Sequence, residues 1–130
     1  IDRKSGSRAL LKIVKAAHKE IRADHGRQIL IFPEGTRRPP GAPPAYRFGI
    51  AQIYSGLNVP CLPIALNSGV YWPRRSLKLR QGTIIVDILP VIEPGSERQA
   101  FFTLMQEKIE EASDRLLAEA RHDLGLAAKV

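Results

Sequence analysis

Gln28-Ile29-Leu30-Ile31-Phe32-Pro33-Glu34-Gly35-Thr36-Arg37-Arg38 is the stretch on which the fold reading turns. Residues 28–32 are almost wholly apolar and short, the pattern of a strand buried on both faces. Pro33 ends it, because proline has no backbone donor and a fixed φ. Working outward, Pro39, Pro40, Pro43 and Pro44 make residues 33–45 a stiff loop that is neither helix nor interior strand. Residues 46–57 then carry Phe48, Ile50, Ala51, Ile53, Tyr54 and Leu57 at helical spacing, despite Gly49 and Gly56. Residues 61–66 read as a second apolar strand. Strand, helical crossover and strand make a βαβ unit, which predicts parallel strands with a right-handed connection.

The flanks fit the same class. Upstream, Leu10, Ile13, Val14, Ala17 and Ile21 recur at helical spacing between Ser5 or Ser7 and His25, with Gly26 placed to end the helix. Its other side carries Arg8, Lys12, Lys15, Lys19 and Arg22, a basic stripe that suits solvent or an anionic surface. Downstream, residues 76–80 and 83–89 read as two further strands, with Gln81-Gly82 as a turn. Ser96 stands three residues before Gln99, a capping box, opening a helix with Phe102, Met105, Ile109, Ala112 and Leu116 on one face. The expectation is one α/β domain over residues 1–130: a mainly parallel central sheet with flanking helices and no internal boundary.

Composition narrows the function. The chain has 130 residues, 20 Lys plus Arg against 13 Asp plus Glu, and a net charge of +7. Residues 1–50 alone hold eleven basic against four acidic groups, so the positive potential lies in the first half and points to an anionic partner. Only eight residues are aromatic and no groove-reading or single-strand motif is present, which argues against nucleic acid. The single cysteine, Cys61, closes no internal disulfide and reads as a structural thiol. Three scattered histidines make no metal-ligand spacing. No apolar run approaches the roughly 20 residues that span a bilayer.

The chemistry concentrates past the first strand, at the end where open α/β sheets bind ligands. Gly35 permits a positive φ or a close backbone approach, Thr36 offers a donor and an acceptor, and Arg37 can grip a phosphate bidentately. Glu34, beside two arginines, either orders the loop or accepts hydrogen bonds from a substrate hydroxyl. Tyr71-Trp72-Pro73-Arg74-Arg75, followed by Lys78 and Arg80, joins an interfacial aromatic to basic groups. That mixture suits either a membrane surface or a loop whose tryptophan packs on the sheet.

Phe32-Pro33-Glu34-Gly35-Thr36-Arg37 resembles the third conserved block of the 1-acyl-glycerol-3-phosphate acyltransferases, also called lysophosphatidic acid acyltransferases. Val59-Pro60-Cys61-Leu62-Pro63-Ile64 resembles their fourth block, Ile1-Asp2-Arg3 the tail of the second, and Tyr46-Arg47-Phe48-Gly49 an intervening aromatic-basic-x-Gly pattern. The order and spacing fit over roughly residues 1–95. The resemblance implies acyl transfer from acyl-CoA or acyl carrier protein to a lysophospholipid acceptor, lysophosphatidic acid, giving phosphatidic acid in phospholipid synthesis. It implies no further cofactor and a peripheral place at the cytoplasmic face of the membrane, against an anionic surface. It also implies that Arg3 and Arg37 contact the glycerol phosphate, that Glu34, Gly35 and Thr36 shape the pocket, and that Pro63 helps form the acyl-donor side or positions the catalytic loop.

The family uses a His-x-x-x-x-Asp motif, in which the histidine takes the acceptor hydroxyl's proton as that oxygen attacks the thioester. Five positions after His18, His25 and His122 stand Ala23, Leu30 and Ala127, so none of these histidines fits. The expectation is therefore a dyad encoded before Ile1, and a 130-residue chain that is inactive alone. The other readings open at this point are a noncatalytic basic module on anionic lipid, and an acyltransferase for a different lysolipid such as a lyso-ornithine lipid.

Overall fold

The computed structural model describes residues 6–23 and 27–126. Its elements are α1 (Gly6–Ala23), α2 (Gly49–Leu57), β1 (Ile64–Leu66), α3 (Ser68–Tyr71), β2 (Val86–Ile88) and α4 (Arg98–Asp123). The architecture is a small α/β domain of four helices and a two-stranded sheet, in which α4 packs on β1, α2 and α3, and α1 packs on α2.

Helix α4 is the spine. Over its 26 residues the side chains of Phe101, Met105, Ala112, Leu116, Leu117 and Ala120 are buried at helical spacing. Successive segments of this stripe meet different partners. Phe101 and Met105 pack with Ala51 and Tyr54 of α2 and with Ile92. Ala112 and Leu116 cover Ala65 of β1, and Leu117 and Ala120 close on Val70 and Tyr71 of α3. The stripe runs through Phe101 rather than Phe102, which is half-buried and tilted against Phe48 at 5.2 Å between centroids. Phe101 instead stacks on Tyr54, with centroids 3.7 Å apart.

Helix α1 packs on α2 through Ala17, Leu10, Val14 and Ile21, which meet Ile53 and Leu57. The two α2 glycines mark that contact. A Cβ on Gly49 would come within 3.3 Å of Leu10, and one on Gly56 within 3.0 Å of Val14. The ring of His18 is bonded to the Gly56 carbonyl at 2.6 Å, which ties the helices together by a polar link. Ile13, expected on the packed side, is 39% exposed. Gly26 and the predicted end of α1 at His25 lie outside the described residues.

Three expectations about strands are corrected. Residues 28–32 form no strand: Ile29, Leu30 and Phe32 are exposed, and the only backbone bond that the run makes among the described residues is the one Phe32 accepts from Gly35. An apolar run becomes a strand only where a neighbour satisfies its backbone, and although Ile31 packs against α1 and α2, no described segment pairs its backbone with this one. Secondly, β1 and β2 pair antiparallel, with Ile64 opposite Ile88, Ala65 opposite Asp87 and Leu66 opposite Val86, so the expected parallel central sheet is not what the described residues build. An isolated antiparallel bridge joins Cys61 to Ile92 and extends this pairing. Thirdly, residues 76–80 form a loop, not a hairpin arm, and of 83–89 only Val86–Ile88 is strand. Asn67, buried between these parts, substitutes for a ladder: its Oδ1 accepts from the Ile85 backbone at 2.8 Å and its amide reaches the Thr83 carbonyl.

The helix cap also shifts by one residue. Glu97, not Ser96, begins α4, and its carboxylate accepts from the backbone N–H of Gln99 and Ala100 at 2.8 and 3.0 Å. Those two bonds hold its carboxyl below the usual carboxylate range. A depressed folded-state value means that the cap stabilises fully above the ordinary range near ~4.3 and is lost as pH falls through the folded value.

Two outcomes follow from this packing. Glu97→Ala lowers Tm at neutral pH, and the gap from the unsubstituted chain narrows as melts are repeated toward acid pH. Phe101→Ala costs about 3–5 kcal/mol in denaturant unfolding, whereas Phe102→Ala costs about 1–2 kcal/mol.

Candidate functional site

The loop after residues 28–32 is shaped by its own polar groups. Gly35 stands at φ +66°, in the left-handed region, and its N–H reaches back to the Phe32 carbonyl at 3.0 Å to close a turn. Glu34 sits immediately before it and is taken up by the protein: one carboxylate oxygen accepts from the Ala45 backbone at 3.1 Å and lies 3.6 Å from Nε of Arg38. That Nε is buried with no hydrogen-bond partner, so the Glu34 carboxylate is its electrostatic neighbour without a bond of normal length. The backbone of Glu34 is held as well. Arg47 Nε donates to the Glu34 carbonyl at 3.4 Å, and Arg47 N–H donates to the Pro33 carbonyl at 2.9 Å. Arg47 therefore clamps the turn from the far end of the proline loop, and it lies so close that a Cβ on Gly35 would come within 3.1 Å of its Nε.

Arg37 is differently placed. Its side chain is exposed and has no hydrogen bond or ion pair among the described residues, while its carbonyl accepts from Arg74 Nη1 at 3.2 Å. Thr36 is exposed beside it. The turn thus offers a free guanidinium and a hydroxyl on a backbone fixed from two sides. Of the two readings of Glu34, the geometry favours ordering of the loop, since its carboxylate already serves Ala45 and Arg38.

The structure brings Glu34, Gly35, Thr36 and Arg37 together and adds Arg38, Arg47 and Arg74 around them. Pro63 lies elsewhere in the wall of the domain: it is buried at the head of β1, its carbonyl accepts from the Leu89 N–H at 3.0 Å, and no hydrogen bond or ion pair joins it to the loop. Arg3 lies outside the described residues. Arg74 had no signal toward this site, because 37 residues separate it from Arg37 and only the fold brings them together.

Two neighbouring features have structural explanations. Tyr46 donates to a Glu110 carboxylate oxygen at 2.7 Å, pinning the end of the proline loop to α4. Burial first, then that bond, pushes the Tyr46 phenol above its ordinary range. Cys61 is half-buried in the bridge to Ile92, and burial raises its thiol, the opposite of what an activated nucleophile needs. An open groove of about 770 Å³ beside Gly41 and the last turns of α4 is lined by Leu117, Ala118, Arg121 and His122, and by none of residues 34–37. Among the described residues no helix is long and apolar enough to cross a membrane, and no cluster of three or more His, Cys, Asp or Glu is placed to hold a metal ion.

Compared with known proteins, the chain is 32% identical over 119 residues to a Pseudomonas aeruginosa protein named 1-acyl-sn-glycerol-3-phosphate acyltransferase. The aligned region covers 92% of this chain and 46% of that relative, so the chain spans about half the length of the curated protein it matches. No family model and no solved structure matches it.

The loop geometry makes a stability prediction. Gly35→Ala forces a Cβ into the left-handed region and toward Arg47, and costs about 1–2 kcal/mol in urea unfolding.

Proposed function

On this likeness, which supports assigning the chain to the 1-acyl-sn-glycerol-3-phosphate acyltransferases and so to the glycerolipid acyltransferases, we propose that these 130 residues supply the acceptor-binding portion of a lysophosphatidic acid acyltransferase. The observation that carries the reading is the inequality among the loop's arginines. Arg38 faces Glu34, Arg47 holds the Glu34 carbonyl, and Arg74 holds the Arg37 carbonyl. Arg37 alone of these four has neither a side-chain hydrogen bond nor an ion pair among the described residues, on a turn whose own carboxylate is already occupied. A guanidinium left free on a fixed backbone is suited to a phosphomonoester, because its forked donors match two phosphate oxygens and nothing in the protein competes for them.

In this proposal Arg37 receives the acceptor's phosphate and Thr36 donates to one of its oxygens or to the glycerol. Gly35 lets the backbone approach, and Glu34 keeps the turn in shape through Ala45 and Arg38. Arg3, matched through the family's second block, is a second phosphate contact, and Pro63 borders the acyl-donor side. The donor is an acyl-CoA or acyl carrier protein thioester.

The reaction moves the acyl group from the thioester sulfur to the acceptor hydroxyl oxygen, and the hydroxyl proton leaves to a base. In the family that base is the histidine of His-x-x-x-x-Asp, which no histidine of these 130 residues satisfies. The chain by itself binds the acceptor without turning it over. The site works at the cytoplasmic face of the membrane as a peripheral protein, since its acceptor is a lipid.

The test is titration of the 130-residue chain with a short-chain lysophosphatidic acid below its micellar concentration. Arg37→Ala weakens binding at least about tenfold, the effect of losing a charge-assisted bond pair, and leaves the weak binding of the corresponding monoacylglycerol unchanged. Equal affinity for the two lipids, or no effect of Arg37→Ala, overturns the reading. Thiol release from acyl-CoA by the 130-residue chain with lysophosphatidic acid present would show that the base has been misplaced.

A further inference from the structure

The loop between α3 and the Asn67-held segment is closed at its base and apolar at its exposed positions. At the base, the Arg80 N–H donates to the Tyr71 carbonyl at 2.9 Å, and the Arg80 guanidinium donates to the Val70 carbonyl at 2.8 Å. Gly82 lies flat against the buried Tyr71 ring, where any Cβ would overlap it. Within the loop, Pro73 fixes one φ, Arg75 stands in the left-handed region at φ +56°, and Ser76 Oγ accepts from Lys78 N–H at 3.1 Å. These are the features of a shaped loop whose ends are held together.

What this frame displays is the opposite of a soluble loop's composition. Leu77 is fully exposed, with Trp72 60% and Leu79 65% exposed. They are interleaved with Arg74, Arg75, Lys78 and Arg80, and no acidic residue occurs between Ser68 and Val86. Arg75 and Lys78 make no side-chain bond among the described residues. Of the two readings that this segment allowed, exposure of most of the tryptophan's surface favours the membrane one over packing on the sheet. Large apolar side chains in water beside unpaired cations are the composition of an interfacial anchor: the apolar groups leave water for the acyl-chain boundary and the cations meet phosphate headgroups.

We propose that residues 72–80 are the surface by which this chain meets an anionic lipid bilayer, with Leu77, Trp72 and Leu79 entering its interface and Arg75 and Lys78 contacting headgroup phosphates. The position of the loop gives the contact a use. Arg74, within the same loop, holds the Arg37 carbonyl, so the lipid-facing loop and the phosphate-binding turn are joined by a direct bond. An acceptor can then present its phosphate to Arg37 while its acyl chain stays in the bilayer. This use rests on the acceptor reading given above; the lipid contact itself does not.

Trp72 is the chain's sole tryptophan, so its fluorescence reports on this loop alone. With the 130-residue chain, phosphatidylcholine vesicles containing phosphatidylglycerol shift Trp72 emission to the blue, and phosphatidylcholine with brominated acyl chains quenches it. Leu77→Asp weakens vesicle binding at least about tenfold and leaves the thermal melt unchanged, since Leu77 packs on nothing. Arg75→Glu with Lys78→Glu weakens binding to anionic vesicles more than to phosphatidylcholine alone.

Vesicle flotation with unmoved Trp72 emission and a neutral Leu77→Asp would overturn the proposal and place the contact on the basic face of α1. Absence of vesicle binding would overturn it outright. Vesicle binding through Trp72 with no Arg37 effect in the lysophosphatidic acid titration would leave the lipid contact standing and remove the acceptor reading, so the two fail separately.

Discussion

Burial of one continuous stripe on α4 is the constraint on which the rest of this domain depends. A two-stranded sheet of three residues per strand does not hold itself together in water, and α3 is a single turn. Each becomes a fixed element because Phe101, Met105, Ala112, Leu116, Leu117 and Ala120 present successive apolar surfaces along a helix that spans roughly 39 Å at 1.5 Å per residue. The order of contacts along α4 sets the order of the domain: α2 at its start, β1 at its middle, α3 near its end. Polar links reinforce the same arrangement. Tyr54, stacked on Phe101, donates to the Glu93 carbonyl, and Arg115 of α4 pairs with Asp87 of β2.

From that spine the functional turn is reached in two steps. Tyr46, bonded to Glu110 of α4, anchors the far end of the proline loop, and Arg47 beside it clamps the carbonyls of Pro33 and Glu34 at the near end. Four prolines between residues 39 and 44 reduce the conformations open to the connecting chain before folding, so closing it costs less entropy than closing a flexible loop of the same length. A guanidinium on a flexible loop would have to be ordered by its ligand. Arg37 is held in advance through its own backbone, which would lower the ordering cost of the binding proposed for it.

The helices were legible in the sequence, as was the conformation of the turn; the sheet was not. Helix periodicity is a local signal, and α1, α2 and α4 fall where it placed them, within a few residues at their ends. The turn was legible because Pro33 and Gly35 follow the apolar run directly, and Gly35 takes the positive φ that its identity allows. Strand pairing depends on a neighbour that no local pattern names. Residues 28–32 have strand-like composition and no described neighbour, while Cys61 and Ile92 pair across 31 positions that carry no pairing signal. Cap identity failed for a smaller reason: Ser96 and Glu97 are both capable acceptors at adjacent positions, and it is the Glu97 carboxylate that meets the Gln99 and Ala100 N–H groups. Pro63, matched through the family's fourth block, is buried at the head of β1, where its carbonyl accepts from the Leu89 N–H.

The excess of positive charge acquires a more specific meaning once the occupied cations are separated from the free ones. Arg38, Arg47, Arg98 and Arg115 serve the fold: Arg38 is the electrostatic neighbour of the Glu34 carboxylate, and the other three are bonded to a carbonyl, a hydroxyl and a carboxylate. Arg37, Arg75 and Lys78 have no such partner among the described residues, and the first is joined to the loop of the other two by the Arg74 bond to its carbonyl. Unpaired cations repel one another and gain nothing for folding, so their gathering on two bonded loops beside exposed Leu77 and Trp72 is a cost that stability does not explain. In the proposed reading, a lipid with a phosphate head and an apolar tail would resolve both parts of that cost at once: its charge would answer the cations, and the surface from which it comes would cover Leu77 and Trp72. Either part alone would fit a free anion or a greasy partner. Their attachment to each other through Arg74 favours a ligand that carries both.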